Sequence, residues 1–153
     1  MQTKRKNISV RMTAWELKRV KEIADRLGVK ESEMIRYSIS NTLGKLMPFH
    51  DKAFKGANLM PAILDSAEDL MRYFHMDSDQ LNRIVNEGEE DPSKRVAEED
   101  LDMIVLSHLN EQYLVKRLAE IFHSPIESMS VGDKLKTYLY EKYVLVNNKQ
   151  TTF

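Results

Sequence analysis

A mainly α chain, with one short amino-terminal strand and helices thereafter, is the fold class this 153-residue sequence predicts. Three observations carry that reading. From Asn7 to Met12 the residues alternate strictly, with Ile8, Val10 and Met12 on one side and Asn7, Ser9 and Arg11 on the other, the period of a strand buried on one face. After Thr13 the apolar residues recur at helical spacing instead. The charge is also divided along the chain: residues 1–50 carry 11 Lys/Arg and 5 Asp/Glu, residues 51–111 carry 6 and 15, and residues 112–153 carry 6 and 4. The net charge of −1 therefore hides a basic head and an acidic middle. Such asymmetry suggests a polyanionic partner for the head and another task for the rest.

The elements follow in order. Thr13-Ala14-Trp15-Glu16 is a capping box, and Leu17, Val20, Ile23, Ala24 and Leu27 form one helical face that Gly28 ends. A second helix runs from Lys30 or Glu31 to Leu43, with Met34, Ile35 and Ile39 on its apolar side; Gly44 is a plausible stop, and Lys45-Leu46-Met47 could extend it. Residues 48–57 lack periodicity and form a linker between a domain at 1–47 and a helical domain at 58–146. In that second domain Asn58 caps a helix to His75, with Pro61 tolerated in its first turn, and Asp77 caps a short helix over Ser78 to Asn86. The acidic stretch Glu87 to Asp100, interrupted by Pro92, reads as a loop or mobile excursion. Helices resume at Ala97–Ser107 and Asn110–His123, and Ser130 with Asp133 caps a last one through Tyr138 and Leu139. Residues 147–153 form a tail.

Composition excludes several classes of protein. With no cysteine in the chain, disulfides, thiolate catalysis and cysteine-ligated metals fall away. No apolar run exceeds four residues and the chain opens Gln2-Thr3-Lys4-Arg5-Lys6 after Met1, which predicts a cytoplasmic protein with neither membrane span nor secretory signal. The five glycines fit neither GxGxxG nor GxxxxGK(S/T), and His50, His75, His108 and His123 lack HExxH spacing. No enzyme, metal or cofactor is expected. The carboxylates between Glu87 and Asp102 lack a calcium-loop pattern and read as a solvated acidic face. Met34, Met60, Met71 and Met103 read as core filling, with a plastic partner-binding groove as the sharper alternative. Residues 116–126 form only a loose helix-turn-helix pattern.

A lone strand leaves both edges unpaired, and nothing later in the chain alternates well enough to pair with it. The same strand of a second copy solves the problem: a twofold axis makes an antiparallel ribbon that buries Ile8, Val10 and Met12 and turns Asn7, Ser9 and Arg11 outward. A two-stranded ribbon fits the major groove. The order of basic arm Lys4-Arg5-Lys6, strand Ile8 to Met12, cap Thr13, helix, Gly28-Val29 turn and second helix through Met34-Ile35 resembles the ribbon-helix-helix (MetJ/Arc type) DNA-binding family over residues 4–46.

The resemblance implies a homodimer on double-stranded DNA, with Asn7, Ser9 and Arg11 reading bases. Their chemistry suits adenine, several bases and guanine in turn. It implies phosphate contacts from Lys4, Arg5 and Lys6 and from the start of the second helix at Lys30, Glu31 and Ser32, although Lys30 and Glu31 depart from the small hydroxyl residue common there. Ile8, Val10, Met12, Leu17, Val20, Met34, Ile35 and Ile39 then form the dimer core. The function implied is a sequence-specific transcriptional regulator, a repressor in the simplest case, with residues 58–146 serving assembly or a protein partner. An antitoxin and an accessory protein of plasmid conjugation or partition are alternatives with the same head. A helical adaptor or oligomerisation protein without DNA function is the alternative of another class.

Overall fold

The structure, a computed structural model, describes residues 5–127 and 131–150. The chain divides into two compact units, Met1–Gly44 and Lys45–Phe153.

The first unit is built on two helices. Helix α1 spans Ala14–Leu27 and starts with the full capping box: the Glu16 amide donates to Thr13 Oγ1 at 3.2 Å, and the Thr13 amide donates to Glu16 Oε2 at 2.7 Å. These hydrogen bonds from the Thr13 backbone and hydroxyl favour the charged carboxyl and hold Glu16 below its ordinary pKa. At the other end Gly28 takes the left-handed conformation, φ 69°, donating to Asp25 O at 3.2 Å while Val29 donates to Ala24 O at 3.0 Å. Helix α2 spans Glu31–His50. It continues past the expected stop at Gly44 and through Pro48, where a linker was expected to begin. Proline there removes one helical bond, to the Gly44 carbonyl four residues back, and at the last turn that loss is small enough for the helix to persist.

The expected amino-terminal strand is absent. Residues 5–12 have no regular secondary structure, and the described residues contain no strand at all. The ribbon-helix-helix fold, with its intermolecular two-stranded ribbon, is therefore corrected to an all-helical architecture. Alternation specifies which side chains share a face; a strand also needs a neighbouring backbone to hydrogen-bond with. Nothing among the described residues supplies one, and Ile8 and Val10 stand 79% and 68% exposed.

The second unit holds the core. A 3₁₀ turn at Gly56–Leu59 leads into α3 (Met60–Phe74), followed by α4 (Ser78–Asn86), a 3₁₀ turn at Pro92–Lys94, α5 (Glu98–Leu106), α6 (Glu111–Phe122) and α7 (Val131–Leu139). A π-helical stretch at Tyr140–Leu145 carries the chain into α8 (Val146–Gln150), so helix extends into the expected tail. Asn58 lies within the first 3₁₀ turn instead of capping α3, while Pro61 does occupy the first turn. Asp77 and Gln80 form a second capping box on α4, and Asn110 caps α6 by accepting from the Tyr113 amide at 3.0 Å. Helices α3 and α6 end on His75 and His123, both at φ 52°. Ser130, the expected cap of α7, lies outside the described residues.

Apolar faces from α3 to α7 and the π-helical stretch meet in one cluster, with Met60, Ile63, Leu81, Val85, Leu101, Leu114, Leu118 and Leu139 fully buried. The stretch after α4 is a loop with one short turn, tied to this core by hydrogen bonds. Buried Asn86 donates from Nδ2 to the Val96 carbonyl and accepts from the Val96 amide, both at 2.9 Å, closing the excursion like a clasp. Gly56, at φ 57°, lets the chain pass so near Lys94 that an added Cβ would lie 2.3 Å from its carbonyl oxygen. Among the described residues no helix is long and apolar enough to cross a membrane.

Candidate nucleic-acid interface

The basic residues of the first unit are displayed on a surface with little packing beneath it. Arg5, Lys6, Asn7, Ser9 and Arg11 are all exposed, in a segment that no hydrogen bond or ion pair ties to the rest of the described chain. Lys4 lies outside the described residues. The three expected base readers thus share one accessible stretch that, in this chain, presents them without a strand's fixed spacing.

At the start of α2, Lys30, Glu31 and Ser32 are exposed as well. Here local chemistry competes with phosphate: Glu33 Oε2 accepts from the Lys30 amide at 2.9 Å, and Glu31 and Glu33 both sit in the first turn. The helix's partial positive end already faces two carboxylates of its own. Lys30 contributes a cation, and the Glu31 and Ser32 amides lie beside those negative charges.

The residues expected to form a dimer core are not covered by their own chain. Leu17 and Ile39 are 48% and 44% exposed, Met12, Val20, Met34 and Ile35 are half-buried, and Ala24 is the one buried residue among those described in this unit. Trp15 is 66% exposed, with the Arg19 guanidinium 5.6 Å from its ring centroid and Glu22 2.9 Å from Arg19. Trp15 thus joins the uncovered surface.

A second polar constellation lies in the other unit. Asp100, 3% exposed, accepts from Tyr138 Oη at 3.0 Å, from Lys142 Nζ at 2.7 Å and from the Tyr143 hydroxyl; the last oxygen also accepts from the Ala97 amide at 3.1 Å. Burial pushes the Tyr143 hydroxyl up to about 12, helped by the bond it donates to Asp100. Burial opposes the charge on Lys142, yet hydrogen bonds to Asp100 and Tyr138 outweigh it and raise the ammonium's pKa. The cluster joins the first turn of α5 to the end of α7 and the π-helical stretch. Every polar atom in it has a partner, so its chemistry is that of a structural clasp. In the sequence, Asp100 looked like one more carboxylate beside Glu98 and Glu99; the spacing of Tyr138 and Lys142, one helical turn apart, was the available signal.

Among the described residues, no group of three or more His, Cys, Asp or Glu side chains is placed to hold a metal ion. Compared with known proteins, the chain matches no family model, no curated protein and no solved structure.

Proposed function

We propose that the protein is a homodimeric DNA-binding regulator of transcription, in which the amino-terminal unit both self-associates and contacts DNA. The observation that carries this reading is the pairing, in one small unit, of uncovered apolar helix faces with an accessible basic segment. Two helices that leave Leu17, Ile23, Leu27, Ile39 and Leu43 exposed gain stability when a second copy covers them. Dimerisation also doubles the local positive charge. Arg5, Lys6 and Arg11 supply phosphate and groove contacts from the free segment, with Asn7 and Ser9 beside them as hydrogen-bonding groups. The acidic middle of the chain repels DNA and serves a different end.

Selection of bound sequences from random DNA, followed by titration at several salt concentrations, tests the reading. With six to ten phosphate contacts per dimer, affinity falls roughly 10³- to 10⁵-fold between 50 and 200 mM salt. Arg11→Ala weakens the preferred site more than random DNA, whereas Lys30→Ala weakens both alike. Flat salt dependence counts against any DNA role. It would favour a helical adaptor, a reading the same uncovered faces also support.

A further inference from the structure

The second unit contains a pocket that the DNA-binding reading does not use. It has a volume of about 740 Å³ and lies where the last turns of α2, the following turn, and α3 and α4 converge. That volume falls within the usual range for small-molecule sites. Its apolar wall includes Phe49, Phe54, Leu70 and Ile84. Phe54 and Ile84 remain 45% and 36% exposed, so apolar surface is left facing water inside a concavity.

The charges on the wall select the ligand. Lys52, Lys55 and Arg83 face it, against Asp51 and Glu87. Asp51 accepts from the Ala53 amide at 2.9 Å and keeps its charge, as Glu87 does, so the wall carries three cations against two carboxylates. Lys55 is held by the Gly88 carbonyl, an uncharged acceptor that leaves its charge uncompensated. Among the described residues none of the three cations has a carboxylate within ion-pairing distance. Two adjoining hollows of about 260 and 310 Å³ share Arg83 and Glu87 with the main pocket. Arg83 and Glu87 therefore both stand at the junction of three hollows, and Arg83 with Lys52 supplies the cations for the head of a ligand whose body fills the largest one.

We propose that this pocket binds a small amphipathic anion, an unbranched acyl carboxylate whose chain covers Phe49, Phe54 and Ile84 and whose carboxylate pairs with Arg83 and Lys52. The proposal stands independently of DNA binding. Calorimetric titration of the full chain with decanoate, decanol and decyltrimethylammonium, the two ions kept below their micelle concentrations and decanol below its solubility limit, tests it. Decanoate binds saturably at one site per protomer, about tenfold more tightly than decanol because a charge-assisted hydrogen bond is added, and the cation does not bind. Arg83→Ala, at an exposed position, lowers decanoate affinity about tenfold and leaves decanol unchanged, while Arg83→Lys retains most of it. Ile84→Asp abolishes binding of both, with thermal unfolding confirming that each variant folds. Absence of saturable decanoate binding, equal affinity for the three probes, or indifference of decanoate to Arg83→Ala overturns the proposal.

Discussion

The two units meet the same physical requirement in opposite ways. In the second, helices α3 to α7 turn their apolar faces inward, and Leu81, Leu101, Leu114 and Leu118 lose all contact with water. In the first, α1 and α2 are equally well formed and α1 is better capped, yet Ala24 alone among the described residues is buried. Local signals suffice to build a helix. They do not give it a core, and isolated helices of this length are marginal in water without one. A unit so constructed gains stability from any surface that covers it, and on the reading proposed above that surface is a second copy.

The sharpest way to break this contrast is to truncate one leucine in each unit. Leu101→Ala removes a fully buried side chain and costs about 2 to 5 kcal/mol in urea unfolding. Leu17→Ala, at a position 48% exposed, costs less than about 0.5 kcal/mol in a monomer. In a dimer it costs more, and its effect grows as protein concentration is lowered through the dissociation range. A small, concentration-independent Leu17 effect would count against self-association through α1.

Two glycines sharpen the comparison. Gly28 and Gly56 are both left-handed, at φ 69° and 57°, but an added Cβ at Gly28 meets nothing within 4 Å whereas at Gly56 it runs into the Lys94 carbonyl. Gly28→Ala therefore costs about 1 kcal/mol of backbone strain. Gly56→Ala adds a backbone displacement and costs about 2 to 4 kcal/mol. Equal thermal shifts for the two variants would show that the Gly56–Lys94 approach contributes nothing to stability.

The Asp100 cluster has a smaller effect, read through pH. The Tyr143 hydroxyl is raised to about 12 from an ordinary 10.0, and Lys142 is raised above its ordinary 10.5. Each binds its proton more tightly in the folded chain, so the stability they contribute is complete below about pH 10 and is lost as pH rises toward and beyond 12. Lys142 is 43% exposed, and solvent screening reduces its share. Asp100→Asn costs about 1 to 3 kcal/mol at neutral pH and flattens the alkaline loss, as a series of urea unfolding curves from pH 8 to 12 would show. A variant whose alkaline limb is unchanged would mean that the cluster is not the source of that limb.

Much of the helical organisation was legible because its causes lie close together in the chain. Thr13 with Glu16 and the cap Asp77 are signals readable within four residues, and the structure places a helix after each one. Gly28 and the two helix-ending histidines were legible for the same reason. The strand at Asn7–Met12 was misread because alternation was taken as sufficient where an interstrand partner is also required. Helix α2 was read too short because Gly44 and Pro48 weaken a helix without obliging it to stop, and neighbouring residues prevailed. For the candidate interface, the sequence identified accessible residues: Arg5, Lys6, Asn7, Ser9 and Arg11 are exposed together because they are polar and contiguous. It did not foresee that Glu33 would occupy the Lys30 amide, a choice among several carboxylates within one turn.

By itself, the sequence determined the starts of α1, α4 and α6, the segregation of positive charge to the head, and the apolar stripes that α3 to α7 pack together, all consequences of periodicity and neighbouring chemistry. Tertiary structure alone decided that Asp100 becomes the buried acceptor of Tyr138, Lys142 and Tyr143, that Asn86 clasps Val96, and that residues from α2, α3 and α4 enclose one pocket. These pairings join residues distant in the chain. Which of many similar carboxylates, amides and apolar side chains meet depends on how the helices close over a shared core, because burial rewards only the arrangement that satisfies every polar group it takes from water.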